Sequence, residues 1–373
     1  MNESSARSQD TPKDNEDRCP YTQVTRLGIC LDPIHIGTGG YRLGRVDNTI
    51  ARDPATNLPI LFGSSIEGTA RTYSAYKLIE DDTSIKKGEH KKEYLDCAGK
   101  SVEEGAEQRI QCGNCEICVT YGYSNKKRSL HGMAQFSDAR ILFFPVHTLV
   151  GPVWVTSPQI LNELFPGNNT EKLESGLSIV QNGKLEEKAW ICDELRQRNL
   201  SKINLGWLYL ETISQNDWTP KDWSLNIQNA KKCDLKQIPQ MSEILKRLVI
   251  VSDGLFSQVV NSNLEVRTSV SIDPGTGAAE EGALFTYEAI PRGTVMYFSV
   301  TFLNPKNFEI LENKNNKNSN LEILEDMQTV EDTVEKGLEL FEFLGLGGMG
   351  TRGFGRFKVL NLKGAQHDND FSC

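Results

Sequence analysis

An aspartate at position 47 stands in the run Arg45-Val46-Asp47-Asn48-Thr49-Ile50-Ala51-Arg52-Asp53. A carboxylate flanked by arginines supports two readings. It is half of a surface ion pair, which contributes little, or its arginines hold phosphates while it acts on a ribose 2′-hydroxyl or holds Mg2+. Asp53, just before Pro54, reads as the opening of a turn.

A second chemical cluster is Cys112-Gly113-Asn114-Cys115-Glu116-Ile117-Cys118, three thiols within one short turn. That spacing aims several sulfurs at one Zn2+, and a fourth ligand closes the tetrahedron. Cys97 is the simplest fourth ligand, with His90 and His131 as competitors. Neither Glu nor His is spaced as a metalloenzyme base, so the zinc is expected to be structural. Free cysteines packed in a lobe are the alternative.

The third feature is Gly345-Leu346-Gly347-Gly348-Met349-Gly350-Thr351-Arg352-Gly353-Phe354-Gly355. It follows a helical pattern and precedes a strand, the reverse of a dinucleotide fingerprint, and it lacks the Gly-Lys-Ser/Thr of a P-loop. A loop that lays backbone amides along a phosphate backbone, with Arg352 and Arg356 beside it, fits the order. A tight connection needing positive φ is the plainer reading. His35 stands on the approach to the Asp47 loop and is placed to face the same groove; His131 and His147 have no partner legible from spacing.

These residues need elements to position them. A strand is expected from about Gln23 to Leu31, then an irregular Gly- and Arg-rich loop from Thr38 to Pro59. Gly63-Ser64-Ser65-Ile66-Glu67 opens a helix to about Ile79, with Ser64 and Glu67 at capping-box spacing. Another strand covers Arg140 to Phe144. Alternation from Ser269 to Ile290 around Asp273-Pro274-Gly275-Thr276-Gly277 predicts a hairpin. Met327, Val330, Val334, Leu338 and Phe341 share one helical face, and a strand covers Arg356 to Leu360. Strands and helices mix without βαβ alternation, which points to an α+β fold.

The organisation follows: a disordered tail over 1–20 and one domain over 21–362. That domain carries an inserted lobe at about 80–130, the hairpin at about 265–292 and a flexible polar loop at 312–320; a tail covers 363–373. The chain has 373 residues, 38% of them apolar and 24% charged, and nine cysteines. No apolar run approaches the roughly 20 residues of a membrane span, and Met1 to Arg18 has no signal-peptide core. A cytoplasmic protein without a membrane partner is expected. The net charge of −9 does not exclude nucleic acid, because binding depends on where cations sit. They cluster at Arg42, Arg45, Arg52 and Arg71, at Lys126 to Arg128, and at Arg352, Arg356 and Lys358.

The run from Ile34-His35-Ile36-Gly37 to Leu58-Pro59-Ile60-Leu61-Phe62-Gly63-Ser64-Ser65-Ile66-Glu67-Gly68-Thr69-Ala70-Arg71 resembles the signature of the RAMP superfamily of CRISPR-associated proteins. Phe136-Ser137-Asp138-Ala139, Trp154-Val155-Thr156-Ser157-Pro158 and Gly282-Ala283-Leu284-Phe285-Thr286-Tyr287-Glu288 narrow the resemblance to the backbone subunits of Cmr (type III-B) effector complexes. The cysteine cluster looks like the zinc lobe of the related Csm-complex backbone. Glu67 stands where the family commonly has lysine.

The resemblance implies an RRM-like, ferredoxin-like palm with an inserted zinc lobe. It also implies a thumb-like hairpin that inserts between CRISPR RNA and target RNA and kinks the duplex at regular intervals. The chain would stack with copies of itself and with other subunits of the effector complex. Asp47 matches the aspartate that performs metal-dependent cutting of single-stranded target RNA, with Mg2+ or another divalent cation. His35, Arg45, Arg52, Ser64, Ser65, Arg71, Arg352 and Arg356 would contact RNA, and Cys97, Cys112, Cys115 and Cys118 would hold zinc. Two other functions are compatible with the sequence: a guide-binding module that has lost cutting, and an RNA processor acting alone.

Overall fold

The computed structural model describes residues 19–38, 46–81, 89–99, 111–124, 128–166, 170–181, 184–213, 223–228, 231–308 and 326–363. Arg42, Arg45, the loop 312–320 and nearly all of both expected tails lie outside the described residues.

One large sheet organises the molecule. Its principal strands are β1 (Tyr21–Cys30), β2 (Ala134–Phe136), β3 (Arg140–Thr148), β4 (Gly151–Thr156) and β5 (Leu248–Ile250). The hairpin strands β6 (Glu265–Ile272) and β7 (Ala279–Ala289) stand apart as their own two-stranded sheet, and β8 (Val295–Leu303) and β9 (Phe357–Val359) return to the main one. In the main sheet β1 lies antiparallel between β8 and β9, and β8 pairs in turn with β2 and β3. Beyond β3 the order runs through β4 and β5 to Lys184–Ile191, Leu208–Thr212 and Lys202–Leu205. Most neighbours are antiparallel, but β4–β5 and Lys184–Ile191 with Leu208–Thr212 run parallel. The α+β expectation holds in this coarse form.

The first half of β1 alternates exposed and buried residues, whereas Arg26, Leu27 and Gly28 are all buried. Gly28 is required there, because a Cβ would lie 2.1 Å from the ring of Phe357 on β9. Helix α1 (Gly63–Asp81) packs against a later helix, α4 (Met327–Glu339). Val330, Val334 and Leu338 of α4 are buried at the expected helical spacing. Two further helices serve the argument below, α2 (Glu89–Ala98) and α3 (Glu116–Tyr121).

The capping box expected for α1 does not form as read. The helix begins at Gly63, so Ser64 lies inside the first turn rather than at the cap. The amide of Gly63 donates instead to Asp138 Oδ1 at 2.7 Å, a carboxylate 75 residues away. A favourable charge at a helix start is thus supplied by tertiary contact, which local spacing cannot reveal.

Arg26, 1% exposed, is the largest fully buried side chain among the described residues. Its guanidinium donates to Glu331 Oε1 at 3.2 Å, Glu335 Oε1 at 2.5 Å and the Asn361 carbonyl at 2.6 Å. Lys363 Nζ reaches Glu331 Oε2 at 2.5 Å. Asn361 accepts from Leu27 N and donates to Thr25 O, so this network ties β1, α4 and the segment after β9 together. Burial pushes the Glu335 carboxyl above the ordinary glutamate range, with Arg26 opposing.

No described helix is long and apolar enough to cross a membrane.

Candidate functional site

A series of short backbone bridges builds the surroundings of Asp47. Ile34 pairs with Ile290 at the end of the hairpin, Gly37 with Ile50, and Asn48 runs parallel to Tyr287 of β7. The Asp47 segment therefore lies directly on the hairpin. Asp47 N donates to Thr286 Oγ1 at 2.9 Å; Thr286 N and Oγ1 each donate to Asp47 Oδ2 at 2.8 Å. The Thr286 amide and then its hydroxyl hold the Asp47 carboxyl below the ordinary aspartate range. An acid kept ionised in this way is a weak proton acceptor at neutral pH. It suits the role of cation ligand or orienting acceptor, and its Oδ1 has no hydrogen-bond partner among the described residues.

Among the described residues Asp47 is held by a threonine and not by Arg52; Arg45, the other flanking arginine, lies outside them. Arg52 turns away to Glu288 Oε1 at 2.6 Å, to Asn261 Oδ1 at 3.1 Å and to the Ile50 carbonyl. Glu288 Oε2 also accepts from Ile50 N at 3.2 Å, so the Arg52–Glu288 pair braces the loop that carries Asp47. Asp53 opens a turn as expected, its Oδ1 accepting from the amides of Ala55 and Thr56, both at 2.8 Å.

The opposite face of β7 meets the glycine-rich segment. Buried His35 joins its Nδ1 to the Glu288 carbonyl at 2.7 Å and packs edge-on against Tyr287, whose hydroxyl accepts from Arg352 Nη1 at 3.2 Å. Gly348 N donates to the His35 carbonyl and Gly355 N to that of Pro33, both at 2.9 Å. Gly347 has φ +80°, and a Cβ there would lie 2.6 Å from the His35 carbonyl oxygen, so only glycine allows this approach. Arg352 and Arg356 are exposed on the resulting surface. Arg356 makes a two-pronged pair with Asp32 at 2.5 and 3.0 Å, which holds the Asp32 carboxyl low.

Thus His35, Asp47, Arg52 and Arg352 gather around one strand. Ser64 and Ser65 lie in the first turn of α1. Arg71 stands apart: Nε and Nη2 donate to the Cys97 carbonyl at 3.1 and 2.7 Å, at the end of α2. Sequence reasoning did not single out Thr286, Tyr287 and Glu288 individually, although all three lie in the Gly282–Glu288 motif. The signal was there, since strand periodicity puts Thr286 and Glu288 on one face and Tyr287 on the other.

The hairpin face that carries Thr286 also presents Val270 and Leu284, a cross-strand pair 43% and 62% exposed. Leu284 is one pleat, about 7 Å, nearer the tip than Thr286. The turn follows the expected chemistry: Asp273 Oδ1 accepts from Gly275 N at 2.8 Å, and Gly277 has φ +65°.

The Sγ atoms of Cys97, Cys112, Cys115 and Cys118 lie within 4.8 Å of one another and could hold a metal ion. Cys97–Cys112 and Cys112–Cys118 are 3.5 and 3.8 Å apart. A zinc tetrahedron with bonds of about 2.3 Å has edges of about 3.8 Å, so the donor set fits. Backbone amides of Cys112 and Cys118 point at Cys97 and Cys115 sulfurs, both at 3.4 Å, as partners of thiolates would. Cys97 occupies the fourth corner. His131 packs edge-on against Phe308 instead, and the His90 side chain lies outside the described residues.

A family model described as the RAMP superfamily matches residues 29–358. The chain is 28% identical over 289 residues to the CRISPR system Cmr endoribonuclease Cmr4 of Pyrococcus furiosus, covering 74% of this chain and 80% of that protein. It is 26% identical over 166 residues to the CRISPR system Cms endoribonuclease Csm3 of Methanothermobacter thermautotrophicus, covering 44% of this chain and 54% of that protein. In fold it resembles a chain of type III-B Cmr-beta in the apo state, with a TM-score of 0.51 at 15% identity over 90% of this chain and 96% of that one. The Cmr-beta structure bound to cognate target RNA gives a TM-score of 0.50 at 15% identity over 91% and 96%.

Proposed function

The chain belongs to the RAMP superfamily, and from that premise we propose that it is a repeated backbone subunit of a type III CRISPR ribonucleoprotein that binds CRISPR RNA and cuts the paired target RNA. The names of its two relatives, both endoribonucleases of CRISPR systems, support the reading. The observation that carries it is the fixing of the Asp47 carboxylate on the hairpin strand by Thr286. In this reading residues 21–362 form one unit with an RRM-like palm, and the lobe at about 80–130 is held by zinc on the four cysteines. Stacked copies share the guide in a cytoplasmic complex with other subunits.

Val270 and Leu284 on the hairpin offer apolar surface to a displaced base pair, as a wedge that unstacks a duplex step must. Sequence is read by pairing between the two RNAs, so the protein needs only contacts to phosphates and 2′-hydroxyls. Arg352, Arg356, Ser64, Ser65 and the amides of Gly347, Met349, Gly350 and Thr351 would supply them, since those of Gly348, Arg352 and Gly353 are bonded within the protein; Arg45 completes the set expected from the sequence.

Cutting is attack of a ribose 2′-oxygen on the neighbouring phosphorus. The O2′–P bond forms and the P–O5′ bond breaks; the 2′-hydroxyl gives up its proton, and one is taken up by the departing 5′-oxygen. The products end in a 2′,3′-cyclic phosphate and a 5′-hydroxyl. Displacing a base pair frees the sugar to bring O2′ in line, which is much of what the reaction requires. Asp47 Oδ1 orients the hydroxyl or holds the cation, while Thr286 fixes Oδ2. Asp47 would hold a divalent cation such as Mg2+, which would supply positive charge for the developing oxyanion.

The test is a guide-loaded complex given end-labelled target RNA. Cuts should fall at regular intervals, stop on chelation of divalent cations and return with Mg2+. A single 2′-deoxy nucleotide at one cut position should abolish that cut alone while the target stays bound. Cutting at the deoxy position would contradict the chemistry; a bound but uncut target in Mg2+ would leave a guide-binding module.

A further inference from the structure

The hydrogen bonds between Asp47 and Thr286 form a closed arrangement. A threonine hydroxyl has one proton and two lone pairs, and here it accepts from Asp47 N while donating to Asp47 Oδ2. The Thr286 amide supplies a second donor to the same oxygen. The surrounding backbone follows suit. Asn48 N donates to the Thr286 carbonyl at 3.1 Å, and Glu288 N donates to the Asn48 carbonyl at 3.0 Å. Asn48 therefore forms an isolated parallel bridge to Tyr287 of the hairpin, which itself is a separate two-stranded sheet from the main one.

We propose that Thr286 is a positioning residue for RNA cutting, and that Asp47 travels with the hairpin, so its carboxylate reaches the scissile ribose only when the hairpin is seated in paired RNA. This rests on the reading of Asp47 as the residue that acts on the target. The geometry makes β7 the common support of two functions. Thr286 holds the acid on one face, and Tyr287 on the other contacts His35 and Arg352 beside the glycine-rich loop. The acid is bonded directly to the hairpin strand, whereas the glycine-rich loop is tied to the His35 and Pro33 carbonyls through the Gly348 and Gly355 amides. Hairpin seating and acid placement become one event.

Thr286→Val keeps the shape and the strand preference of the side chain but removes the hydroxyl; the amide of residue 286 remains. Assembled with guide RNA, this variant should bind target with unchanged affinity and cut it roughly ten- to a hundredfold more slowly, the effect of an ill-placed reacting group. Thr286→Ser restores the hydroxyl and should recover most of the rate. The fall should appear in the single-turnover rate at saturating target, with half-saturation unmoved. Wild-type cutting by Thr286→Val overturns the proposal, as does equal loss in Thr286→Ser, which would mark a packing role. Weakened target binding in parallel with the rate also overturns it. Asp47→Ala run alongside separates the two levels: unchanged cutting there removes the reading beneath, whereas lost cutting there with normal Thr286→Val removes only this inference.

Discussion

Replacing Arg26 with alanine is expected to lower folding stability by about 3–5 kcal/mol, the usual result of removing one partner of a buried ion pair. The reason lies with what remains. Glu331 and Glu335, both nearly fully buried, would face each other with Lys363 as their one countercharge among the described residues, and Lys363 reaches them from the surface. The carbonyl of Asn361 would also lose its donor. For a chain of this size the unfolding temperature should fall by about 4–6 °C. The pH dependence has a definite sign. The folded-state pKa of Glu335 is raised by burial, so this group favours the fold below the ordinary glutamate pKa and works against it as pH rises through the folded value. Without Arg26 the rise is larger. The deficit of Arg26→Ala should therefore be greatest at neutral pH and narrow toward pH 4, near the unfolded value. Adding Glu331→Gln and Glu335→Gln should return much of the loss at neutral pH. A change below about 1 kcal/mol would show that the network contributes no more than a surface pair.

Removing the metal proposed for the four cysteines is expected to have an effect of similar or greater size, confined to the lobe. Structural zinc contributes roughly 10–16 kcal/mol of apparent binding free energy in small domains, most of it expressed as folding. Purified protein should carry about one zinc per chain, and Cys115→Ser should lose it. Cys115 also caps α3, its sulfur accepting from Cys118 N, so the variant loses a cap with the ligand. Hydrogen exchange should then quicken across α2 and α3 and at Arg71, which holds the lobe to α1 through the Cys97 carbonyl. Exchange in the main sheet should be little changed. Protein purified without chelators and carrying no bound metal would return the four thiols to ordinary packing.

The parts of this molecule that were legible in its sequence are those set by short-range chemistry. The hairpin was readable from alternation on both sides of Asp273-Pro274-Gly275-Thr276-Gly277, because that turn needs an acidic acceptor and a positive φ at known offsets. The helical face of Val330, Val334 and Leu338 was readable from its period, and the cysteines from their spacing. What escaped depends on partners distant in the chain. Nothing in the local sequence singles out Arg26, because its partners on α4 and at Asn361 lie more than 300 residues on. The start of α1 at Gly63 was read correctly, but its cap was not, because Asp138, in the loop between β2 and β3, meets the Gly63 amide. Nothing next to Asp47 in the sequence points to Thr286, 239 residues away, which holds its carboxylate, or to Glu288, which takes Arg52. In each case the deciding partner is a tertiary contact that no local rule reaches.

The central claim is that Asp47 acts on the target RNA from its seat on the hairpin, and one measurement bears on it most directly. Asp47→Ala, assembled into a guide-loaded complex, is given a saturating complementary RNA, and cutting is followed over a single turnover beside target affinity. Affinity should match the wild type and the rate should fall by about a hundredfold or more, as when a group that stabilises developing charge is lost. Cutting at the wild-type rate and spacing would contradict the account.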